Sequence, residues 1–319
     1  MTKRPPTTRL KKYKAQPQEY EGLYGKFTLT ERDFEMLETV YAYRHITSDQ
    51  LRAVISGSAQ QISRRLQGLF HNGFLARYVP RRRMRGDLET GSPVMAYGLE
   101  TKGYKALTEV REQDAADSGE DAEEVAWKKA YSRRQEWFLE HAVMISNVHA
   151  TLDLALRGRG EPKLVEWDQS RDVRGEVTVS FPRKGDRTYR IAPDAHFAAT
   201  EGTRLSNFFL EADRATEESR RIYSKFVSYW WYLQSEHYLE NYENAQDVRV
   251  LFVTTTERRL ENLMKWLGEL EKPNSPKGHG GFGWFWFTSE ERFDLAQPES
   301  ILEPIWQTVT KPDRLRVLA

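Results

Sequence analysis

Residues 187–232, RTYRIAPDAHFAATEGTRLSNFFLEADRATEESRRIYSKFVSYWWY, read as strand, turn, strand, helix. Tyr189 to Ile191 runs into Pro193-Asp194, and Ala195 to Ala199 continues extended. The turn TEGTR precedes an apolar run, Phe208-Phe209-Leu210. Successive side chains of a strand point to opposite faces. Phe208, Leu210 and Ala212 therefore share one face, and Glu211 and Asp213 share the other. A tight hairpin brings Asp194 towards Glu211. Carboxylates converging at a strand end make a hard, oxygen-rich site suited to Mg²⁺. That is the minimum equipment for metal-assisted phosphodiester chemistry. The bland reading of the same residues is a salt-bridged loop end, with Arg190, Arg214 and Arg220 as partners.

Working outward, EESRRIYSKFVSYWWYLQSEHYL reads as a helix with Ile222, Phe226, Tyr229, Trp230 and Leu233 on a broad apolar face. Lys225 shares a side with Arg221 and Tyr229, by the four-residue rule. Val248 to Thr254, VRVLFVT, has the near-continuous apolar character of a buried central strand. Thr256 caps another helix, ERRLENLMKWLGEL, and Trp284 to Phe287 makes a final strand. Upstream, Leu164 to Trp167 is a short strand, and Val177 to Phe181 with Thr188 to Ile191 form a hairpin around RKGD. A long apolar helix, Glu124 to Leu156, precedes them and carries Glu140-His141. Strands alternating with helices imply a layered α/β domain with a mixed sheet over residues 126–290. Residues 291–319 read as a loose tail with a short helix near Ile301 to Trp306.

Pro193-Asp194, the segment FFLEADRATE, and Lys225 followed by Tyr229 resemble the PD-(D/E)XK nuclease superfamily. More closely, they resemble the replication-relaxation family of plasmid, phage and mobile-element proteins. The resemblance extends over most of residues 30–290. It implies a restriction-endonuclease-like α/β domain, with Asp194, Glu211 and Lys225 at catalytic positions. It also implies Mg²⁺ or Mn²⁺ held by Asp194, Glu211 and Asp213. In such nucleases a helix before the sheet often supplies a further carboxylate, for which Glu140 is the candidate; the competing reading is a surface Glu beside a core or capping histidine, His141. The chain departs from the pattern at one point: where a nuclease has Glu-X-Lys, it has Glu211-Ala212-Asp213. Lys225, on the following helix, is the nearby substitute for the missing strand lysine.

The first third of the chain reads differently. Residues 1–27 hold Lys3, Arg4, Arg9, Lys11, Lys12 and Lys14 with no acid before Glu19, the composition of a disordered basic arm. Thr30 then caps ERDFEMLETVYAYR, with Asp33 at the capping-box position. Thr47 starts a second helix, SDQLRAVI, and Ser58 caps a third, AQQISRRLQGLFHNG. Gly73 stands where a left-handed helix terminus is wanted. Two strands follow, Phe74 to Tyr78 and Val94 to Leu99, and Thr101 caps KGYKALTEV. The order over residues 28–110 is that of a winged helix-turn-helix. The third helix of such a fold enters the major groove through its N-terminal polar side chains, here Ser58, Gln60, Gln61, Arg64 and Arg65. Arg81, Arg82, Arg83 and Arg85 lie between the two strands, on the wing, where arginines suit phosphates or the minor groove. The competing reading is a winged helix used for protein contacts, its arginines solvated.

Charge divides the chain in the same way. Residues 1–110 carry 19 Lys+Arg against 11 Asp+Glu, net +8, and the remainder 29 against 36, net −7. A basic module joined to an acidic one suggests that the first half meets a polyanion. Residues 111–125, centred on EQDAADSGEDAEE, read as an acidic linker. No run of eighteen apolar residues exists, so no transmembrane helix and no membrane partner are expected. The absence of cysteine excludes disulfides, thiolate metal sites and a Cys nucleophile, and suits a reducing cytoplasm. No Walker motif, GxGxxG or HExxH is present. Three functions stand beside one another. The first is a double-stranded DNA-binding accessory protein of a mobile element, working with replication or relaxosome proteins through a degenerate nuclease-like domain. The second is a Mg²⁺-dependent endonuclease or nickase. The third is a homodimeric transcriptional regulator.

Overall fold

The computed structural model describes residues 13–80, 94–118, 136–170, 172–240, 242, 247–270, 281–310, 313 and 315–318. They divide into two compact units, Met1–Ala150 and Thr151–Ala319.

The first unit runs α1 (Pro17–Tyr24), α2 (Glu31–Tyr43), β1 (His45–Thr47), α3 (Ser48–Val54), α4 (Ala59–His71), β2 (Leu75–Tyr78), β3 (Ala96–Leu99), α5 (Thr101–Ser118) and the first part of α6 (Glu136–Leu156). The three strands form one antiparallel sheet in the order β1–β3–β2. The starts of α2, α3 and α4 are bonded as their sequence implies, whereas α1 has no side-chain cap and Thr101, expected as a cap, is the first residue of α5 itself. The Thr30 amide donates to Asp33 Oδ2 at 2.8 Å. Thr47 and Gln50 exchange amide bonds of 2.9 and 3.1 Å. Ser58 Oγ accepts from the Gln61 amide at 3.2 Å. These satisfy amides that have no partner within the helix. Gly73, at φ 78°, turns the chain out of α4 while the Phe74 amide reaches back to the Leu69 carbonyl at 2.9 Å. Met36, Leu37, Val40, Ile46, Leu51, Ile62, Leu66 and Leu69 are buried between the helices. Leu139 and Val143 of α6 pack on Ala76, Tyr78 and Ala96 of the sheet.

Two segments differ from their sequence reading. Pro17–Tyr24, assigned to the basic arm, is a helix: Tyr20 is buried and stacks on His71 at 5.7 Å and against Phe27 at 6.0 Å. Residues 111–118, assigned to the acidic linker, continue α5. No glycine or proline interrupts them before Gly119, and Arg111 clamps Glu38 of α2 with bonds of 3.0 and 2.7 Å. Residues 1–12, 81–93 and 119–135 lie outside the described set, and with them Arg81, Arg82, Arg83, Arg85 and most of the acidic stretch.

The second unit contains β4 (Lys163–Asp168), β5 (Gly175–Phe181), β6 (Gly185–Ile191), β7 (Ala195–Glu201), β8 (Arg204–Asp213), α7 (Ser219–Gln234), β9 (Asp247–Thr254), α8 (Glu257–Glu269) and β10 (Phe285–Ser289). Five strands form a mixed sheet in the order β10–β9–β8–β7–β4. The pairs β10/β9 and β9/β8 are parallel, whereas β8/β7 and β7/β4 are antiparallel. The helices α7 and α8 make the two parallel crossovers, as parallel neighbours require. The strands β5 and β6 form a separate two-stranded ribbon. One face of the sheet packs Phe209, Val250, Phe252, Phe285 and Phe287 against Phe226, Tyr229, Leu260 and Leu263 of the helices. On the other face Phe197 stacks between Trp167, at 5.3 Å, and Phe208, at 4.6 Å.

The expected loose tail is packed structure through most of its described length. Phe293, Ile301 and Trp306 are buried, and a 3₁₀ turn spans Pro298–Leu302. Gln307 exchanges backbone bonds of 2.8 and 2.9 Å with Phe287. Arg292 ties the segment down through Glu257, the Ile305 carbonyl and Gln307. Among the described residues no helix is long and apolar enough to cross a membrane.

Two stability tests follow from the first unit. Arg65 holds the fully buried Asp33: Nε donates to Oδ1 at 2.7 Å, Nη2 donates to Oδ2 and, at 2.9 Å, to the Thr28 carbonyl, and the guanidinium lies 4.5 Å over Phe27. Arg65→Ala leaves a buried carboxylate uncompensated, an expected loss of about 3 kcal/mol in urea unfolding. A loss under about 1 kcal/mol, ordinary for exposed pairs, would remove this clamp from the account. His149, buried and stacked on Tyr43 at 4.1 Å, is pushed by burial from its ordinary 6.5 down to about 3. A lowered folded value favours the neutral ring. Its contribution is therefore complete above pH 6.5 and is lost as pH falls towards 3, at about 1.4 kcal/mol per unit. His149→Phe should flatten the acid limb of a stability–pH curve, and parallel limbs would assign the acid sensitivity elsewhere.

Candidate functional site

Alternation along β8 turns Glu211 and Asp213 to the helix-covered face, beside Phe209. Glu211 is 2% exposed. Both of its oxygens are held by α7: Lys225 Nζ donates to Oε2 at 2.7 Å, and the Tyr229 hydroxyl donates to Oε1 at 2.6 Å. The four-residue spacing of Lys225 and Tyr229 puts both on one side of the helix. Lys225 also lies 3.3 Å from Glu217. Asp194 enters from the turn before β7. Its amide donates to the Leu210 carbonyl at 2.9 Å, and its Oδ2 accepts from the Ala212 amide at 2.8 Å. It is thus latched to β8 on either side of Glu211.

The electrostatics follow from this enclosure. Burial pushes the Glu211 carboxyl up, the Lys225 ammonium pulls it back, and the Asp194 charge adds to the rise. Burial alone would lower Lys225. The carboxylates of Glu211, Asp194 and Glu217 outweigh it and hold the ammonium above its ordinary range. Burial, then Glu211, raises the Tyr229 hydroxyl well above its usual value, so it remains a donor at neutral pH. The arrangement is a buried carboxylate with a fixed ammonium and a fixed hydroxyl, and a second carboxylate beside them.

Asp213 is not part of this group. Arg259 of α8 grips it with bonds of 2.7 and 3.1 Å, and Thr254 Oγ1 adds one of 3.0 Å. Arg190, one of the partners expected from sequence, instead binds Glu176 at 2.9 Å. Arg259 carried no local signal, because it stands 46 residues from Asp213 and meets it only once the β8–α8 register exists. As a three-carboxylate magnesium site the set does not fit. Asp213 is spent on Arg259, and Asp194 and Glu211 already share Lys225 as counter-charge. Among the described residues no group of three His, Asp or Glu converges as metal ligands would.

In the first unit, Ser58, Gln60, Gln61 and Arg64 are exposed on the N-terminal half of α4, while Ile62, Leu66, Leu69 and Phe70 of the same helix are buried. Arg65 is set apart from them by its clamp on Asp33. Glu140 is half-buried on α6, in the first unit.

A family model described as replication-relaxation matches residues 37–250, from within α2 to within β9. The matched stretch covers well over half of the chain and contains α4, Asp194, Glu211, Lys225 and Tyr229. The chain belongs to the replication-relaxation family. No curated protein and no solved structure matches it. Family membership carries a replication- or relaxation-related role.

The Lys225–Glu211 pair can be tested by a cycle. Lys225→Met leaves Glu211 buried without its cation and should cost roughly 3 kcal/mol in urea unfolding. Adding Glu211→Gln should restore much of that loss, because removing both partners is cheaper than removing one. Strict additivity of the two changes would mean that the pair does not act as a unit.

Proposed function

We propose that this chain is a sequence-specific duplex-DNA-binding accessory protein of a mobile element, acting with replication or relaxosome partners, and that its second unit is a nuclease-like scaffold that does not cut. The observation that carries the DNA reading is the face of α4. Four polar side chains, Ser58, Gln60, Gln61 and Arg64, stand exposed on its first two turns. Helix, strand, helix, helix, strand, strand is the element order of a winged helix-turn-helix, in which this helix enters the major groove. Gln and Arg can bond bidentately to adenine and guanine edges. The net +8 over residues 1–110 supplies the electrostatic attraction that phosphates require.

For the second unit, the support is the internal neutralisation of its acids. Glu211 has Lys225, and Asp213 has Arg259. A purely structural role accounts for both pairs. The proximity of Lys225 to Glu211 and Asp194 is the one feature that favours cleavage, because it brings an ammonium to the acidic pair in place of the missing strand lysine.

Gel-shift titrations of the full chain against fragments of its native locus test the first part. Binding should weaken steeply with salt. Gln61→Ala or Arg64→Ala should relax the preference for the bound fragment by about 1–3 kcal/mol. No shift with any fragment at low salt would sink the DNA reading. Plasmid incubated with the protein and Mg²⁺ or Mn²⁺ should stay intact. Nicking by the wild type that disappears in both Asp194→Ala and Lys225→Ala would make the second unit an enzyme.

A further inference from the structure

We propose that the β5–β6 ribbon is a second duplex-DNA contact, separate from α4 and carried by the second unit; this rests on the DNA-binding reading above. The two seven-residue strands pair in register from Gly175 opposite Ile191 to Phe181 opposite Gly185. Their outer face, Glu176, Thr178, Ser180, Asp186, Thr188 and Arg190, is exposed. The inner side is anchored on α7. Tyr189 stacks on Trp231 at 5.9 Å, Phe181 meets the same ring edge-on at 5.4 Å, and Ile191 is buried. At the base, Gly175 is required: a Cβ there would stand 2.5 Å from the Tyr232 ring. An isolated hairpin is marginal in water; packing on α7 holds this ribbon in place with its outer face and tip open.

Its charge sets it apart from the unit that bears it. Residues 174–191 hold Arg174, Arg183, Lys184, Arg187 and Arg190 against Glu176 and Asp186, five against two. Residues 151–319 as a whole hold 24 basic against 27 acidic. Both ribbon acids are engaged within the ribbon, Glu176 by Arg190 at 2.9 Å and Asp186 by Ser180 at 2.6 Å. Arg183 and Lys184, at the exposed tip, make no ion pair among the described residues. The excess is gathered at the tip, on Arg183 and Lys184, and not on the outer face, where Arg190 stands against Glu176 and Asp186; a basic tip on an acidic unit matches a polyanion in sign. Arginine and lysine at an exposed tip suit phosphate oxygens, which lie on the outside of a duplex.

The ribbon also leads into the acidic site, since Ala192 and Pro193 alone separate Ile191 from Asp194. The ribbon contributes affinity and orientation, and α4 contributes sequence preference.

The test uses the full chain and a duplex that the wild type binds, titrated at several salt concentrations. Arg183→Ala with Lys184→Ala should make the log–log salt slope shallower by about 1.8, as loss of two phosphate contacts predicts. Arg183→Glu with Lys184→Glu should weaken binding further. The preference for matched over mismatched duplex should be unchanged, and so should the melting temperature, since both residues are exposed. A slope and affinity identical to wild type in the charge-reversed variant overturns the ribbon contact while leaving the α4 reading intact. Ribbon variants with a shallower slope, alongside Gln61→Ala and Arg64→Ala variants that keep full sequence preference, would support the ribbon and overturn the α4 reading. Failure of the wild type to bind any duplex overturns both.

Discussion

Glu211 is a buried carboxylate two residues before the end of β8. Such a group must be neutralised by its surroundings or it destabilises the strand that bears it. The solution here comes from one helix. Lys225 and Tyr229 reach the two oxygens from adjacent turns of α7, which fixes the rotation of that helix about its axis. With the rotation set, Ile222, Phe226 and Leu233 face the sheet. Phe226 then sits edge-on to Phe252 at 5.1 Å and to Phe285 at 5.6 Å, so the aromatic core of β9 and β10 depends on the same alignment.

The device recurs at two other places. Asp213 at the end of β8 is gripped by Arg259 from α8, and Asp33 at the start of α2 by Arg65 from α4. In each case a buried acid near the end of one element receives a planar guanidinium from another. Arginine suits this task, because its rigid fork bonds both carboxylate oxygens at once. Buried pairs of this kind contribute little net stability compared with apolar substitutes. Each joins two elements at one fixed pair of residues, β8 to α8 through Asp213 and α2 to α4 through Asp33.

Much of the fold was legible because it rests on local rules. The hairpin and strand of residues 187–213 followed from period-two alternation, and the three early helices from their caps at Thr30, Thr47 and Ser58. The approach of Asp194 to Glu211 followed from hairpin geometry, and Lys225 from the family resemblance, whereas Asp213, expected beside them, is turned to Arg259. What escaped was non-local or aperiodic. Arg65 and Arg64 are neighbours of the same type, and only the position of Asp33, 32 residues away, makes one structural and the other exposed. The extension of α5 through an acid-rich stretch depends on Arg111 finding Glu38, 73 residues earlier. Residues 291–310 have no helical or strand period in sequence, and they are held by single contacts such as Arg292 with Glu257.

That last segment changes what the sheet can do. Gln307 occupies the free backbone of β10 at Phe287, so this border of the sheet already has a lodger. The opposite border, β4, is broken in register between Leu164 and Glu166 and carries Lys163, Glu166 and Asp168. A bulge and charged side chains both discourage a further strand from joining. Growth of the sheet by docking a second copy edge to edge is thereby opposed on both sides. A second copy meeting this five-stranded sheet would therefore do so through side chains and not through shared backbone bonds.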